Sequence, residues 1–255
     1  MQQGKSTVVI VPLYNESERW DSNYWDKFKS PNLTIFFIDD GSTDGTWEII
    51  HKYAPEYSHR LKRNGGKARA LHAGFNLALS LESCPSYIGF LDADRAFDVS
   101  ELSSLIQNST EILDSGFDSI WASRVNLLGR EINRKKIRHL LGRMINSVLS
   151  LSYSEFPYDS QCGFKVYKVD DQFRRSLEMK VRTRWFFELE HLANYLVKNG
   201  KGLRIWEEPL GTWQDTAGSK LYRFRSFLLL IEIVHVFCIL RSSKKSRGQA
   251  CTAHS

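Results

Sequence analysis

In Tyr87-Ile88-Gly89-Phe90-Leu91-Asp92-Ala93-Asp94, an apolar run ends in two carboxylates one residue apart. A run this short, without polar alternation, has the pattern of a strand buried on both faces. The carboxylates then fall where the strand leaves its sheet. Paired there, they form a compact site for a hard divalent cation, which takes oxygen ligands and usually shares them with substrate phosphates. Asp-x-Asp is also common in solvated surface turns, and the triplet alone leaves both readings open.

The surrounding chain repeats the arrangement. Thr7-Val-Val-Ile-Val11, closed by Pro12, reads as one buried parallel strand, and Leu33-Thr-Ile-Phe-Phe-Ile38 as another. The second runs into Asp39-Asp40-Gly41-Ser42-Thr43-Asp44-Gly45-Thr46, with a helix expected from about Trp47. A Gly65-Gly66-Lys67 turn opens a helix over Ala68–Leu81, with Leu71, Phe75, Ala78 and Leu79 at helical spacing. Ser100 is placed to cap a helix from Glu101 to about Ser115, and Ser119-Ile-Trp-Ala122 is a further strand ending at Ser123-Arg124. Strands alternating with helices predict an α/β fold with a mostly parallel, doubly wound sheet. In such sheets ligands bind beyond the carboxyl ends of the strands. Asn15-Glu16, Asp39-Asp40, Asp92 with Asp94, and Ser123-Arg124 all fall at strand ends, which predicts a single cleft.

The 255 residues carry a net charge of +6, which favours an anionic partner: nucleotide, phosphate, nucleic acid or membrane surface. Nucleic acid is disfavoured, because the basic residues are not interleaved with aromatics along one element. Cys84, Cys162, Cys238 and Cys251 show neither metal spacing nor a disulfide cluster, as expected in a reducing compartment. Met1–Ser6 runs straight into a strand and reads as no signal peptide. No stretch reaches the roughly 20 apolar residues of a spanning helix. The longest, Phe227–Leu240, is interrupted by Glu232 and His235 and followed by Arg241, Lys244, Lys245 and Arg247. Ile137, Leu140, Leu141, Met144, Ile145, Val148 and Leu149 form an apolar helical stripe. Either segment suits a bilayer interface; core packing, dimerisation or a partner protein are the alternatives.

Val11-Pro12-Leu13-Tyr14-Asn15-Glu16, Asp39 to Thr46, Asn64-Gly65-Gly66-Lys67 and Asp92-Ala93-Asp94, in this order, resemble the inverting family 2 glycosyltransferases, which have the GT-A fold. Asp159-Ser160-Gln161-Cys162-Gly163-Phe164-Lys165, Trp185-Phe186-Phe187-Glu188-Leu189-Glu190 and Gly218-Ser219-Lys220 resemble the dolichyl-phosphate sugar synthases. Gln-Cys-Gly-Phe-Lys is most similar to their glucosyltransferase branch. The resemblance implies a GT-A domain over residues 1–221; the apolar run and the charges after it predict an apolar C-terminal helix over 222–241 and a basic disordered tail over 242–255.

It also implies roles. Pro12, Tyr14, Glu16, Asp39, Asp40, Lys67, Asp92 and Ala93 would bind a nucleotide-sugar, UDP-glucose before GDP-mannose. Asp39 and Asp40 read equally as turn caps, and Lys67 as a solvated helix-end lysine. Asp94 would ligate Mg²⁺ or Mn²⁺, with Asp92 on metal or ribose. Where mannose synthases follow the pair with Leu-Gln, this chain has Arg95-Ala96, which leaves a third protein ligand open. Asp92, Asp94 and Arg124 would form the catalytic set. Arg124, Arg134, Arg138 and Lys220 would hold a polyprenyl or dolichyl phosphate, although Arg134-Lys135-Lys136 reads equally as a solvated charge run. Gln161, Glu188 and Glu190 would shape the site. A lipid acceptor implies a cytoplasmic protein attached peripherally to the cytosolic face of a membrane. A saccharide hydroxyl as acceptor, or a non-catalytic subunit of a membrane glycosylation complex, are the rival readings.

Overall fold

The structure, a computed structural model, describes residues 5–134, 136–151, 153, 156–214 and 226–252. Its first half runs β1 (Thr7–Leu13), α1 (Ser22–Asp26), β2 (Leu33–Asp39), α2 (Thr46–Tyr53), β3 (Ser58–Arg60), α3 (Lys67–Leu79), β4 (Tyr87–Leu91), α4 (Val99–Asp114) and β5 (Ser119–Ser123). The second runs β6 (Glu131–Asn133), α5 (Lys136–Ser150), β7 (Phe164–Lys168), α6 (Asp171–Leu177), α7 (Phe187–Asn199), β8 (Ile205–Pro209), β9 (Thr212–Gln214) and α8 (Ser226–Thr252). Seven strands form one sheet in the order β3-β2-β1-β4-β7-β5-β8, and β6 pairs with β9 apart from it. Every neighbouring pair in the large sheet is parallel except those of β7, which runs against both β4 and β5.

The strands are apolar because both faces are covered. Along β1, Val8 and Ile10 enter one core and Val9, Val11 and Leu13 the other, following the two-residue period of a strand. The first core is closed by α3, α6, α7 and the buried side of α8; the second by α1, α2 and α4. Each fully buried Val, Leu, Ile or Phe contributes about 1.5–3 kcal/mol, so the two packed faces drive assembly. α3 lies so close to the sheet that a Cβ on Gly74 would collide with Ile10. That approach holds the start of α3 against the strand ends.

Two boundaries differ from the sequence expectation. The cap of α4 is Asp98, whose carboxylate accepts the Glu101 N–H at 3.0 Å. Ser100 lies inside the helix and donates its hydroxyl to Asp98, because an ionised acceptor at a helix N-terminus gains from the dipole as well. α8 continues to Thr252, through the stretch expected to be a disordered tail; it contains no proline, and its Lys, Arg, Gln and Ala residues favour helix.

Val236 and Leu240 of α8 are fully buried, whereas Leu228, Leu230, Ile231 and Val234 are exposed. α5 packs on α8 and likewise exposes Leu140, Met144 and Val148. Glu232, which breaks the apolar run, faces the domain: its carboxylate accepts the Arg184 N–H at 2.9 Å and the Trp185 N–H at 3.2 Å. Among the described residues, no helix is long and apolar enough to cross a membrane. Glu232→Ala is expected to lower unfolding free energy by about 1–3 kcal/mol, since it strips two amides of their acceptor. Denaturant melts of the two proteins check this, and equal midpoints would show that the contact does not anchor α8.

Candidate active site

The carboxyl ends of β1 and β2 are stitched together by short polar side chains. Asn15, in the left-handed region at φ 51°, donates its N–H to Ser42 Oγ at 2.9 Å and accepts the Thr43 N–H on its side-chain oxygen at 2.9 Å. Thr46 Oγ1 accepts the Glu16 N–H at 2.8 Å, and the Ser17 hydroxyl donates to Asp44 at 2.8 Å. Glu16 itself is bridged by Arg19 at 2.6 Å. Pro12 and Tyr14 are half-buried on the same strap.

The neighbouring acids Asp39 and Asp40 have different tasks. Asp40 places both oxygens on amides, accepting from Gly65 at 2.8 Å and Gly66 at 2.7 Å. It fixes the turn that opens α3, the turn-capping role that the sequence also allows. Gly66 has φ 94°, and a Cβ there would lie 2.6 Å from the Arg184 carbonyl oxygen, so the turn requires glycine. Asp39 is fully buried. Its Oδ1 accepts the Ser42 N–H at 3.0 Å. Its Oδ2 lies 3.2 Å from Arg60 Nε but has no hydrogen bond among the described residues.

At the end of β4, Asp92 meets three groups. Its N–H donates to the Gly163 carbonyl at 2.8 Å, and its carboxylate packs where a Cβ on Gly163 would stand. Lys67, at the start of α3, reaches its Oδ1 at 2.6 Å. Burial works against the Lys67 ammonium, but Asp92, Glu188 and Asp94 outweigh it and hold its pKa above the ordinary lysine value. Asp94 is half-buried beyond Ala93 and accepts the Ala96 N–H at 3.2 Å. Arg95, left-handed at φ 58°, is exposed and pairs with Asp21 at 2.9 Å. Among the described residues, no three His, Cys, Asp or Glu side chains converge as a metal cluster. One or two carboxylates with substrate phosphates completing the shell is nevertheless the usual mode for Mg²⁺, and Asp94 beside Asp92 fits it.

Arg124 follows β5, as expected, but its fork is engaged. It grips Asp159 through Nε at 2.7 Å and Nη2 at 2.8 Å, and its own N–H adds a third bond at 3.0 Å. Its guanidinium lies 5.0 Å from the Trp213 ring. Arg134 Nη1 stands 3.6 Å from the same carboxylate. Burial raises the Asp159 carboxyl, yet the charge and hydrogen bonds of Arg124 prevail and hold it well below the usual carboxylate range. Arg124 and Arg134 thus assemble around an internal acid. Gln161 joins this turn through its N–H to Asp159 at 3.3 Å and its amide to Ser160 Oγ at 3.2 Å. The Arg138 side chain and Lys220 lie outside the described residues.

The two acids of α7 are both buried. Glu190 accepts from the amides of Arg182 and Thr183 and from the Thr183 hydroxyl, at 2.7 to 3.1 Å. Glu188 is 2% exposed. Site-shaping is what these positions permit, since neither presents a carboxylate to solvent. Sequence reading assigned no role to Gly163, Asp159 or Arg60. Gly163 alone had a local signal, a glycine beside a strand, which marks close backbone approach.

A six-plus-one sheet whose carboxyl edge gathers Asp39, Lys67, Asp92 and Asp94 defines the GT-A class of transferase scaffold. A likeness to S. aureus TarS (TM-score 0.50, 18% identity, 82% of this chain and 36% of that one) agrees in fold. Residues 8–169 match the family described as glycosyl transferase family 2, and the chain belongs to that family. The Trichomonas vaginalis protein named dolichyl-phosphate beta-glucosyltransferase ALG5C is 26% identical, over 92% of this chain and 72% of that protein. The dolichyl-phosphate beta-glucosyltransferase of Saccharomyces cerevisiae is 27% identical, over 93% and 77%.

Gly163→Ala is expected to displace the Asp92 carboxylate and reduce kcat/KM at least about tenfold, a loss of roughly 1.4 kcal/mol of transition-state binding; unchanged kinetics would show that the contact can relax freely. Asp159, with its native pKa depressed, contributes stability that is present above its unfolded value near pH 4 and is lost as pH falls through the native value. Denaturant melts from pH 7 to pH 2 should show that acid limb, and Asp159→Asn should flatten it. An identical limb in the variant would place the proton uptake elsewhere.

Proposed function

We propose that this chain is a metal-dependent inverting hexosyltransferase that moves glucose from UDP-glucose to a dolichyl or polyprenyl phosphate. The observation that carries the reading is the gathering of Asp92, Asp94 and Lys67 on the same sheet edge as the buried Asp39, one oxygen of which faces Arg60 at 3.2 Å without a hydrogen bond among the described residues. The Asp39 oxygen suits an N–H of a nucleobase, with Tyr14, Glu16 and Pro12 beside it. Asp94, with Asp92 next to it, would hold Mg²⁺ or Mn²⁺, which supplies Lewis-acid stabilisation of the charge on the departing diphosphate. Lys67 adds a fixed positive charge beside Asp92, and Ala93 leaves room between the two acids.

A phosphate acceptor is an anion at neutral pH and needs no strong base. Its oxygen attacks the anomeric carbon as the bond to the diphosphate breaks, which inverts that carbon. A sugar hydroxyl would need a carboxylate base, and the burial of Glu188 and Glu190 argues against one on α7. The names of the relatives supply the glucose and the dolichyl phosphate; GDP-mannose remains the next donor to test. Arg134, Arg138 and Lys220 are the cations proposed for the acceptor phosphate, with Arg124 positioning that side through Asp159. The exposed apolar side chains of α5 and α8, with the basic residues after Leu240, support attachment to the cytosolic face of a membrane, each basic residue adding about 1 kcal/mol on an anionic leaflet.

The test is transfer from labelled UDP- and GDP-sugars to a short polyprenyl phosphate, with Mg²⁺ or Mn²⁺ and then with chelator. Metal-dependent label in the lipid fraction is the expected result. Asp94→Ala should lower it by at least about 10²-fold, the scale of an electrostatic group at the reacting charge. Donor hydrolysis without lipid product would move the acceptor to a saccharide, and no turnover with any donor would overturn the enzyme reading.

A further inference from the structure

Behind the carboxylate pair, on the face covered by α3 and α7, lies a second level of charge. Lys165 of β7 has no exposed surface. It stands opposite Phe90 of β4 and Trp121 of β5 in the sheet register, and its Nζ lies 5.4 Å and 4.6 Å from their ring centres. Its ammonium donates to the Cys162 carbonyl at 2.6 Å. Glu188 supplies the nearby opposing charge: burial lowers the pKa of Lys165 while this carboxylate raises it. One oxygen of Glu188 has no hydrogen bond among the described residues.

A buried charge of this kind is a poor device for stability, because well-packed apolar residues often serve as well or better. Its connections suggest another use. The Cys162 carbonyl belongs to the peptide joining Cys162 to Gly163. The next carbonyl, that of Gly163, accepts the Asp92 N–H at 2.8 Å, and Gly163 Cα forms the floor under the Asp92 carboxylate. Two consecutive carbonyls are therefore pinned, one from below by an ammonium and one from above by the metal-site backbone. Glycine at 163 leaves the Asp92 carboxylate the space a Cβ would take, and the two bonds to these carbonyls hold the turn there.

We propose that Lys165 is a positioning residue: it braces the Cys162–Gly163 turn against Asp92 and thereby sets where the Asp92 carboxylate stands between Lys67 and Asp94. The proposal rests on reading Asp92 and Asp94 as the donor and metal carboxylates. Lys165 touches neither substrate nor metal; it acts through the Cys162 carbonyl, as outer groups orient ligating side chains in metal sites.

The experiment titrates the full chain by calorimetry with UDP or GDP, each with Mn²⁺, and takes the nucleotide that binds wild type as the probe. Binding of neither by wild type would overturn the donor-edge reading and this inference with it. With a probe in hand, Lys165→Met should weaken binding at least about tenfold, the usual cost of losing a group that orients a ligand. The donor KM should rise while the acceptor KM stays unchanged. Lys165→Met/Glu188→Gln removes both buried charges together and should show the same loss, should the single variant unfold. Leu196→Ala, at the far end of α7, is the control: it should lower the unfolding midpoint and leave probe affinity intact. Wild-type probe affinity in either lysine variant overturns the proposal, as does a Leu196→Ala protein that loses affinity in step with stability.

Discussion

β7 runs antiparallel between two parallel strands, and the active edge is a consequence of that reversal. A parallel strand brings its end to the carboxyl edge; a reversed one brings its beginning. Phe164 therefore pairs with Leu91, and the turn ahead of it arrives against Asp92. The same reversal delivers Asp159 to the end of β5, where Arg124 meets it. A parallel β7 would place residues 159–163 at the opposite end of the sheet. The carboxylate pair would then lose its backbone partner, and Arg124 its acid.

Acids near this edge are sorted by what their oxygens already accept. Asp40, Asp159, Glu190 and Glu232 each receive two or more donors from the backbone or from arginine. Such carboxylates order loops, and leaving any of their donors unpaired would be costly. Asp39, one oxygen of which lies 3.2 Å from Arg60 without a hydrogen bond among the described residues, belongs to a different group, as does Asp92, whose carboxylate is ion-paired with Lys67. What separates the two groups is hydrogen-bond supply rather than residue type.

β1, β2, β4 and β5 were legible because parallel strands covered on both faces must be continuously apolar, and Thr7–Val11, Leu33–Ile38, Tyr87–Leu91 and Ser119–Ala122 are. Phe164-Lys165-Val166-Tyr167-Lys168 was not legible as a central strand, since a lysine in its middle reads as a solvated face, whereas Lys165 is wholly enclosed. The four polar clusters at strand ends were placed correctly for the same reason as the strands. Individual roles were less accessible. Asp39 and Asp40 are adjacent and chemically alike, and only the position of the Gly65-Gly66 amides separates them. Arg124 read as a free phosphate clamp because its partner, Asp159, is distant in sequence and approaches only through β7. Residues 242–252 continue α8 because their lysine, arginine, glutamine and alanine residues are good helix formers, a signal that a run of charge conceals.

One relay joins parts of the molecule that look unrelated in sequence. Glu232 of α8 holds the amides of Arg184 and Trp185. The Arg184 carbonyl in turn accepts the Ala68 N–H at 2.9 Å, and its guanidinium bonds Asn64. The C-terminal helix is therefore bolted, through one intervening residue, to the turn that presents Lys67. It is part of the chassis of the sheet's carboxyl edge rather than an appendage to it. Trimming the chain ahead of α8 would take the Glu232 carboxylate from those two amides and loosen the turn that carries Lys67.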